Sequence, residues 1–250
     1  MAITRLFIRG ELQADQSLQL DHEQSRYVGR VLRLRVGDTL TVFNSESGEF
    51  DATISGIGKT SATIAVGAAI ESTTESPLKV HLVQGVCRGE RMDLIVQKAT
   101  ELGVKRISPV LTEFGVVRLD PARANKRREH WQRIAESACE QSGRIRPPLL
   151  DEPMPLKTWL CAKTSEADVD LILRPGAARP MASLQAPKTK VCLLIGPEGG
   201  FSGIEYEDAE IAGFKAVSLG PRILRTETAA IAAVAVAESL WGDLGALGLD

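Results

Sequence analysis

The stretch VCLLIGPEGGFSGIE, Val191 to Glu205, decides the fold: an apolar run, then a loop with Gly196, Pro197, Gly199 and Gly200, then a helix entry. The run shows no polar alternation, as expected of a strand covered on both faces. Ser202 with Glu205 three residues on is a capping-box pattern, so the next helix is expected to begin at Gly203. A buried strand, a glycine loop and a helix in that order make up the repeating unit of a parallel α/β sheet.

The same rhythm extends in both directions. VHLVQGV (Val80 to Val86), RISPVL (Arg106 to Leu111), VDLILR (Val169 to Arg174) and AVSLG (Ala216 to Gly220) are expected strands. Between them, Arg91 to Glu101 places Met92, Ile95, Val96, Ala99 and Leu102 on one helical face, stopped by Gly103. A second helix covers about Ala124 to Ser142 and turns Trp131, Ile134, Ala135 and Ala138 inward. A last one is expected from Glu227 to Trp241. The first seventy residues differ: LFI, TLTVFNS, EFDATISGI and SATIAVGAAI are short β segments joined by turns such as SESG, which suggests a small barrel or sandwich. The polar stretch ESTTESP, Glu71 to Pro77, breaks the pattern as a linker would, so the expected domains are 1–72 and 73–250.

A chain of 250 residues with 44% hydrophobic and 25% charged residues suits an ordinary globular protein with a sizeable core. Its longest apolar stretch, Ala229 to Ala237, is too short for a bilayer, and the start does not resemble a signal peptide; a cytosolic protein without membrane contact is expected. Cys87, Cys139, Cys161 and Cys192 form no CxxC pair, so neither a zinc nor a redox site is expected, and no metal. Net charge is −2, but residues 88–146 hold 13 basic and 8 acidic groups, and RYVGRVLRLR (Arg26 to Arg35) has four arginines and no acid. Such patches either meet a polyanion or are solvated faces.

In α/β sheets ligands collect beyond the carboxyl ends of strands, where Gly196 to Ser202 lies. The loop lacks the Lys-Ser/Thr of a P-loop and the GxGxxG of a dinucleotide fold, and Glu198 at its centre would repel phosphate. An acid in a glycine loop better suits hydroxyls, an amine or a positive charge, which a sulfonium cofactor bearing ribose offers. SLGPRILRTETAA, Ser218 to Ala230, again follows a strand, turns at Gly220-Pro221 and enters a helix behind threonines able to cap it. Six alanines between Ala229 and Ala237 imply close packing of that helix. Packing does not explain Arg225, Thr226, Glu227 and Thr228 crowded at its entrance.

LIGPEGGFSGIE together with LGPRILRTETAA resembles the knotted SPOUT methyltransferases, and within them the ribosomal RNA small subunit methyltransferase E family. RMDLIVQKATELGVKRISPVLTE (Arg91 to Glu113), HWQRIAESACEQSGR (His130 to Arg144) and YVGRVLRLRVGD (Tyr27 to Asp38) extend the resemblance over nearly the whole chain. Where the family pattern has a basic residue after Thr112-Glu113, this chain has Phe114-Gly115. The resemblance implies an α/β fold: a small PUA-like β-barrel for RNA, then a SPOUT-type α/β domain with a deep trefoil knot. It also implies a homodimer, and S-adenosyl-L-methionine bound at the knot. The implied activity is methylation of N3 of one uridine in 16S ribosomal RNA, with free RNA or the small ribosomal subunit as partner. Rival expectations are a knotted methyltransferase for a ribose 2′-hydroxyl or another base, and a non-catalytic RNA-binding assembly factor. The implied cofactor contacts are Leu194, Ile195, Gly196, Pro197, Glu198, Gly199, Gly200, Leu219, Gly220, Ile223, Leu224, Arg225, Thr226, Thr228 and Ala229. Arg225 is the expected stabiliser of developing negative charge, and Glu227 or Glu198 the base. Arg26, Arg30, Arg33, Arg88, Arg91, Arg127 and Arg128 are the expected RNA contacts.

Overall fold

The computed structural model describes residues 4–58, 60–72, 74–117, 120–163 and 167–245. Two compact units emerge, residues 1–75 with 139–146 and residues 76–138 with 147–250. The first thus extends past the expected boundary and takes in a second, distant segment, which no linker pattern announces.

In the first unit, β1 (Arg5–Phe7), β2 (Ser17–Gln19), β3 (Thr39–Asn44), β4 (Gly48–Ile57) and β5 (Ala62–Ile70) form one sheet in the order β1-β3-β4-β5-β2. Period-two alternation buries Ala52 and Ile54 on β4 and Ile64 and Val66 on β5 against Leu40 and Val42. The first part of the arginine-rich stretch, through Val31, is helical, which strand patterning had not suggested. Helix α1 (His22–Arg26) starts at an Asp21–Gln24 capping box and continues as a π-helical turn, Tyr27–Val31. Val28 goes to the core with Leu32 and Leu34 packed beside it, which leaves Arg26, Arg30 and Arg33 exposed. Within the same unit Arg144, buried, pairs with Glu75 at 3.0 Å.

The second unit runs β6 (Lys79–Gly85), α2 (Glu90–Glu101), β7 (Arg106–Leu111), α3 (Pro121–Ser142), β8 (Leu149–Leu150), β9 (Met154–Pro155) and α4 (Leu156–Ala162). It continues with β10 (Val169–Leu173), β11 (Lys190–Ile195), α5 (Gly203–Ile211), β12 (Lys215–Val217) and α6 (Thr226–Trp241). Its sheet has the order β12-β10-β11-β6-β7-β8, with β9 also on β7, and every pairing in it is parallel. Alternation along β11 sends Leu193 and Ile195 into one core with α2, α3 and α6, and Cys192 and Leu194 into another with α4 and α5. Each such side chain contributes roughly 1.5–3 kcal/mol on burial. The alanines of α6 have their explanation here: Ala230, Ala233 and Ala237 are buried in the first of these cores, alongside Met92 and Val96 of α2. The expected strand Ala216 to Gly220 stops at Val217, and Ser218 and Leu219 turn away to line a cleft.

Candidate active site

The carboxyl ends of β10, β11 and β12 open into a cleft of about 620 Å³. Both glycine-bearing segments line it. From the first come Ile195, Gly196, Pro197, Glu198, Gly199 and Gly200, and from the second Leu219, Gly220, Ile223, Leu224, Arg225, Thr226, Glu227 and Ala229. Two of the expected contacts lie elsewhere. Leu194 points to the opposite face of β11 among Val83, Ile172 and Phe201, because successive strand residues alternate. Thr228, in the first turn of α6, is exposed and outside the cleft lining.

The helix entrance differs from the threonine cap expected. The N-cap of α6 is Arg225, in extended backbone (φ −63°, ψ 153°) and without a side-chain cap bond. Thr226 instead donates its hydroxyl hydrogen to the Gly196 carbonyl at 2.6 Å, tying the second segment to the first. Fully buried Gln84, at the end of β6, donates through Nε2 to Thr226 Oγ1 (3.1 Å), Gly85 O (3.0 Å) and Gly196 O (3.3 Å). Its Oε1 has no partner among the described residues. Cys87 lies 3.5 Å from Thr226 Oγ1, and burial pushes its thiol up to about 11, so it stays protonated. The approach is tight: a Cβ on Gly85 would fall 2.3 Å from Pro197 Cδ.

Charge in the cleft is organised by Arg91. Its Nη1 donates to Glu198 Oε1 at 2.6 Å, and its Nε stands 4.0 Å from Glu227 Oε2. The Arg88 backbone N–H also donates to Glu198 Oε1, at 3.1 Å. Burial pushes the Glu198 carboxyl up, but its own backbone N–H, Arg91 and the Arg88 N–H outweigh that and hold it below the usual carboxylate range. Glu227 Oε2 is buried and has no hydrogen-bond partner among the described residues. The exposed Arg225 side chain, which lines the cleft, has none either.

The other expected RNA contacts are distributed over both units. Arg26 and Arg30 line a hollow of about 260 Å³ with His22, Ser25 and Gly29, while Arg33 lies outside it at φ +55°. Arg88 and Arg127 are exposed, and Arg128 Nη2 donates to Asn125 Oδ1 at 3.3 Å. Phe114, half-exposed, abuts the glycine loop: a Cβ on Gly199 would fall 2.7 Å from the Phe114 carbonyl oxygen.

Residues 74–238 match the family profile of an RNA methyltransferase domain, and residues 20–67 that of an RNA methyltransferase PUA domain. The ribosomal RNA small subunit methyltransferase E of Buchnera aphidicola is 36% identical over 242 residues, 97% of this chain and 98% of that one. The chain belongs to the ribosomal RNA small subunit methyltransferase E family. The solved family member from Neisseria gonorrhoeae, bound to S-adenosyl methionine, is 36% identical with a TM-score of 0.89, covering 96% of this chain and 99% of that one. A Legionella pneumophila protein solved with the cofactor SAM is 39% identical with a TM-score of 0.93, covering 98% of this chain and 100% of that one.

In this member of the methyltransferase E family, Gln84, Arg174 and Tyr206 belong to the site or its frame without a sequence signal of their own. Arg174 and Tyr206 both line the cleft, the guanidinium 4.7 Å from the ring centroid. Of these, only Gln84, a polar residue directly after Leu82-Val83 in VHLVQGV, stands out in the sequence.

Proposed function

We propose that this protein uses S-adenosyl-L-methionine to methylate N3 of a uridine in small-subunit 16S ribosomal RNA. The observation that carries the proposal is the entrance of α6, where Arg225 and Glu227 line one cleft with two glycine-bearing loops.

The residues present suit the cofactor. Backbone of Gly196 to Gly200, with apolar Leu173, Ile195, Leu219 and Leu224, gives a wall that a nucleoside can approach closely, and the uncapped N-terminus of α6 favours a carboxylate. When bound, the cofactor supplies an electrophilic methyl group. Uracil N3 carries a proton at neutral pH and is a poor nucleophile until that proton leaves. Glu227 is the base, because its Oε2 accepts no hydrogen bond among the described residues and Arg91 stands 4.0 Å away, while the Glu198 carboxylate is held by Arg91 and two backbone N–H groups. Arg225 stabilises the negative charge that spreads onto the uracil carbonyls, since a guanidinium keeps its charge and offers several donors. Glu198 orients the cofactor. Phe114, at the loop, offers an aromatic surface for a base where the family pattern has a cation.

RNA is held by Arg26, Arg30, Arg33, Arg88, Arg127 and Arg128, and the protein works as a cytoplasmic homodimer. The first unit is a PUA-like barrel, and the C-terminal chain forms a deep trefoil knot; support is the family membership and the contact of Gly85 with Pro197, which leaves no room for a side chain. Among the described residues no helix is long and apolar enough to cross a membrane. Incubation with labelled S-adenosylmethionine and unmodified small-subunit RNA, then nucleoside analysis, is the test. Labelled 3-methyluridine is expected; a labelled 2′-O-methyl nucleoside, or tight RNA binding without label, overturns the proposal.

A further inference from the structure

Helix α3 carries much of its positive charge along one edge. Arg123, Lys126, Arg127, His130 and Arg133 follow the spacing i, i+3, i+4, i+7 and i+10, which puts them on one stripe of the helix, about 15 Å long. Arg123, Lys126, Arg127 and Arg133 are exposed, and His130 is half-buried. The face turned to the core is a different one, with Trp131, Ala135 and Ala138 buried on it. Arg128 stands off the stripe, its Nη2 on Asn125. The stripe belongs to the same compact unit as the cleft.

Little in the fold neutralises this stripe. Among the described residues Lys126, Arg127 and Arg133 have no hydrogen-bond or ion-pair partner. Arg123 meets Asp120 at 3.3 Å, but both side chains are more than half exposed, where water competes and such a pair contributes little. Glu129, on the flank beside Lys126 and Arg133, accepts instead from Asn125 at 2.9 Å. Like charges three and four residues apart on a helix repel, so Arg123 with Lys126 and with Arg127 is a cost that a polyanion along the stripe relieves. The stripe is also tied to the cleft wall. His130 Nε2 pairs with Asp93 Oδ2 at 2.9 Å and Trp131 Nε1 donates to Asp93 Oδ1 at 3.1 Å, which fixes the middle of α3 on the first turn of α2. The same turn holds Arg91, bonded to Glu198 in the cleft, and follows directly on the exposed Arg88. Arg91 and Asp93 are two residues apart, roughly 3 Å along the helix axis.

We propose that this stripe guides the RNA strand flanking the target nucleotide into the cleft, its phosphates lying along Arg123, Lys126, Arg127 and Arg133. The proposal rests on the RNA methyl-transfer reading and extends it, because of these four only Arg127 was reached from the sequence. An RNA strand suits the stripe better than an acidic protein surface. Its cations are spread along a line with no large apolar side chain exposed among them, so they meet a linear charge rather than a patch with a core. A stacked strand carries a phosphate about every 3.4 Å, roughly four over the length of the stripe. Residues 74–238, which match an RNA methyltransferase domain, include all of it.

The test is fluorescence anisotropy of labelled small-subunit RNA with the full-length protein over a salt series, beside steady-state methyl transfer. Lys126→Ala with Arg133→Ala should weaken RNA binding on the order of tenfold or more and lower the slope of log K against log salt by about 1.4, about 0.7 for each of two phosphates no longer neutralised. KM for RNA should rise more than kcat falls, and Lys126→Glu with Arg133→Glu should weaken binding further. Both side chains are exposed and unpaired among the described residues, so these variants keep the packing of α3. Unchanged affinity and slope in the alanine variant overturn the inference, as does an equal loss from Lys157→Ala, an exposed lysine on α4. RNA binding that depends on the stripe without labelled 3-methyluridine would count against the methyl-transfer reading alone. Methyl transfer with an unchanged slope in the variant would count against the stripe alone.

Discussion

Arg91 stands between two acids that the sequence alone leaves equivalent. It takes Glu198 at 2.6 Å and leaves Glu227 at 4.0 Å, so the two carboxylates are expected to fail differently when neutralised. Glu227→Gln should cut methyl transfer by about a hundredfold or more with cofactor affinity nearly unchanged. Glu198→Gln should mainly weaken cofactor binding. Arg225→Ala should resemble Glu227→Gln, with a loss of about a hundredfold or more, since removing one preorganised donor to a developing charge has that effect. Single-turnover rates beside calorimetric cofactor affinities separate these outcomes. Equal loss of rate and affinity in Arg225→Ala would remove it from the chemistry. Arg91 itself was expected among the RNA contacts, a reasonable place for an arginine in a basic segment. What assigns it to the cleft is a bond to a residue 107 positions away, and no local pattern carries that information.

Among the elements, the strand-to-helix unit from Val191 to Glu205 was legible because its determinants are local. Ser202 caps α5 and Glu205 closes the box back to the Ser202 N–H, as the three-residue spacing implies. Glu205 Oε1 also accepts the Glu113 backbone N–H at 2.8 Å, which the spacing does not imply. The entrance of α6 was misjudged for the same reason: threonines look like caps, but the Gly196 carbonyl lies within reach and takes the Thr226 hydroxyl. The end of β6 gives the prediction at this scale. Gly85→Ala puts a methyl group 2.3 Å from Pro197 Cδ and 2.5 Å from Pro197 N, both parts of a rigid ring. It should destabilise the protein by about 1–3 kcal/mol, seen as a lower urea midpoint, and loosen cofactor binding as the glycine loop shifts. An unchanged midpoint would mean that the close approach is readily relieved.

For the molecule as a whole, pH and salt give separate handles on the two units. His81 has its pKa lowered from 6.5 to about 4, so between those values the unfolded chain binds more protons than the folded one. Its neutral burial therefore leaves stability unaffected above pH 6.5, lowers it as pH falls, and reaches its full cost below about pH 4. The difference is roughly 3 kcal/mol. Urea titrations from pH 7 to pH 4 should show this loss in the wild type and a smaller one in His81→Gln; parallel losses would exclude His81 as the cause. In the first unit, Arg26→Ala with Arg30→Ala should weaken RNA binding and lower the slope of log K against log salt by about 0.7 for each phosphate no longer neutralised. An unchanged slope would make this patch a solvated face.

Strand alternation, helical spacing and capping act over a few residues, so the order of strands and helices, the glycine loops and the apolar faces could all be read from the chain before it folds. The arginines of Arg26 to Arg35 were visible there too, though not the helical turns that carry Arg26 and Arg30. Folding had to place β11 between β10 and β6, close Thr226 on Gly196, and set Arg91 on Glu198 rather than Glu227. It also aligned Asp170, Cys192, His81 and Arg106 into one polar row. Each of these depends on which strands become neighbours, and that choice follows from burying both faces of one sheet at once rather than from any short run of residues.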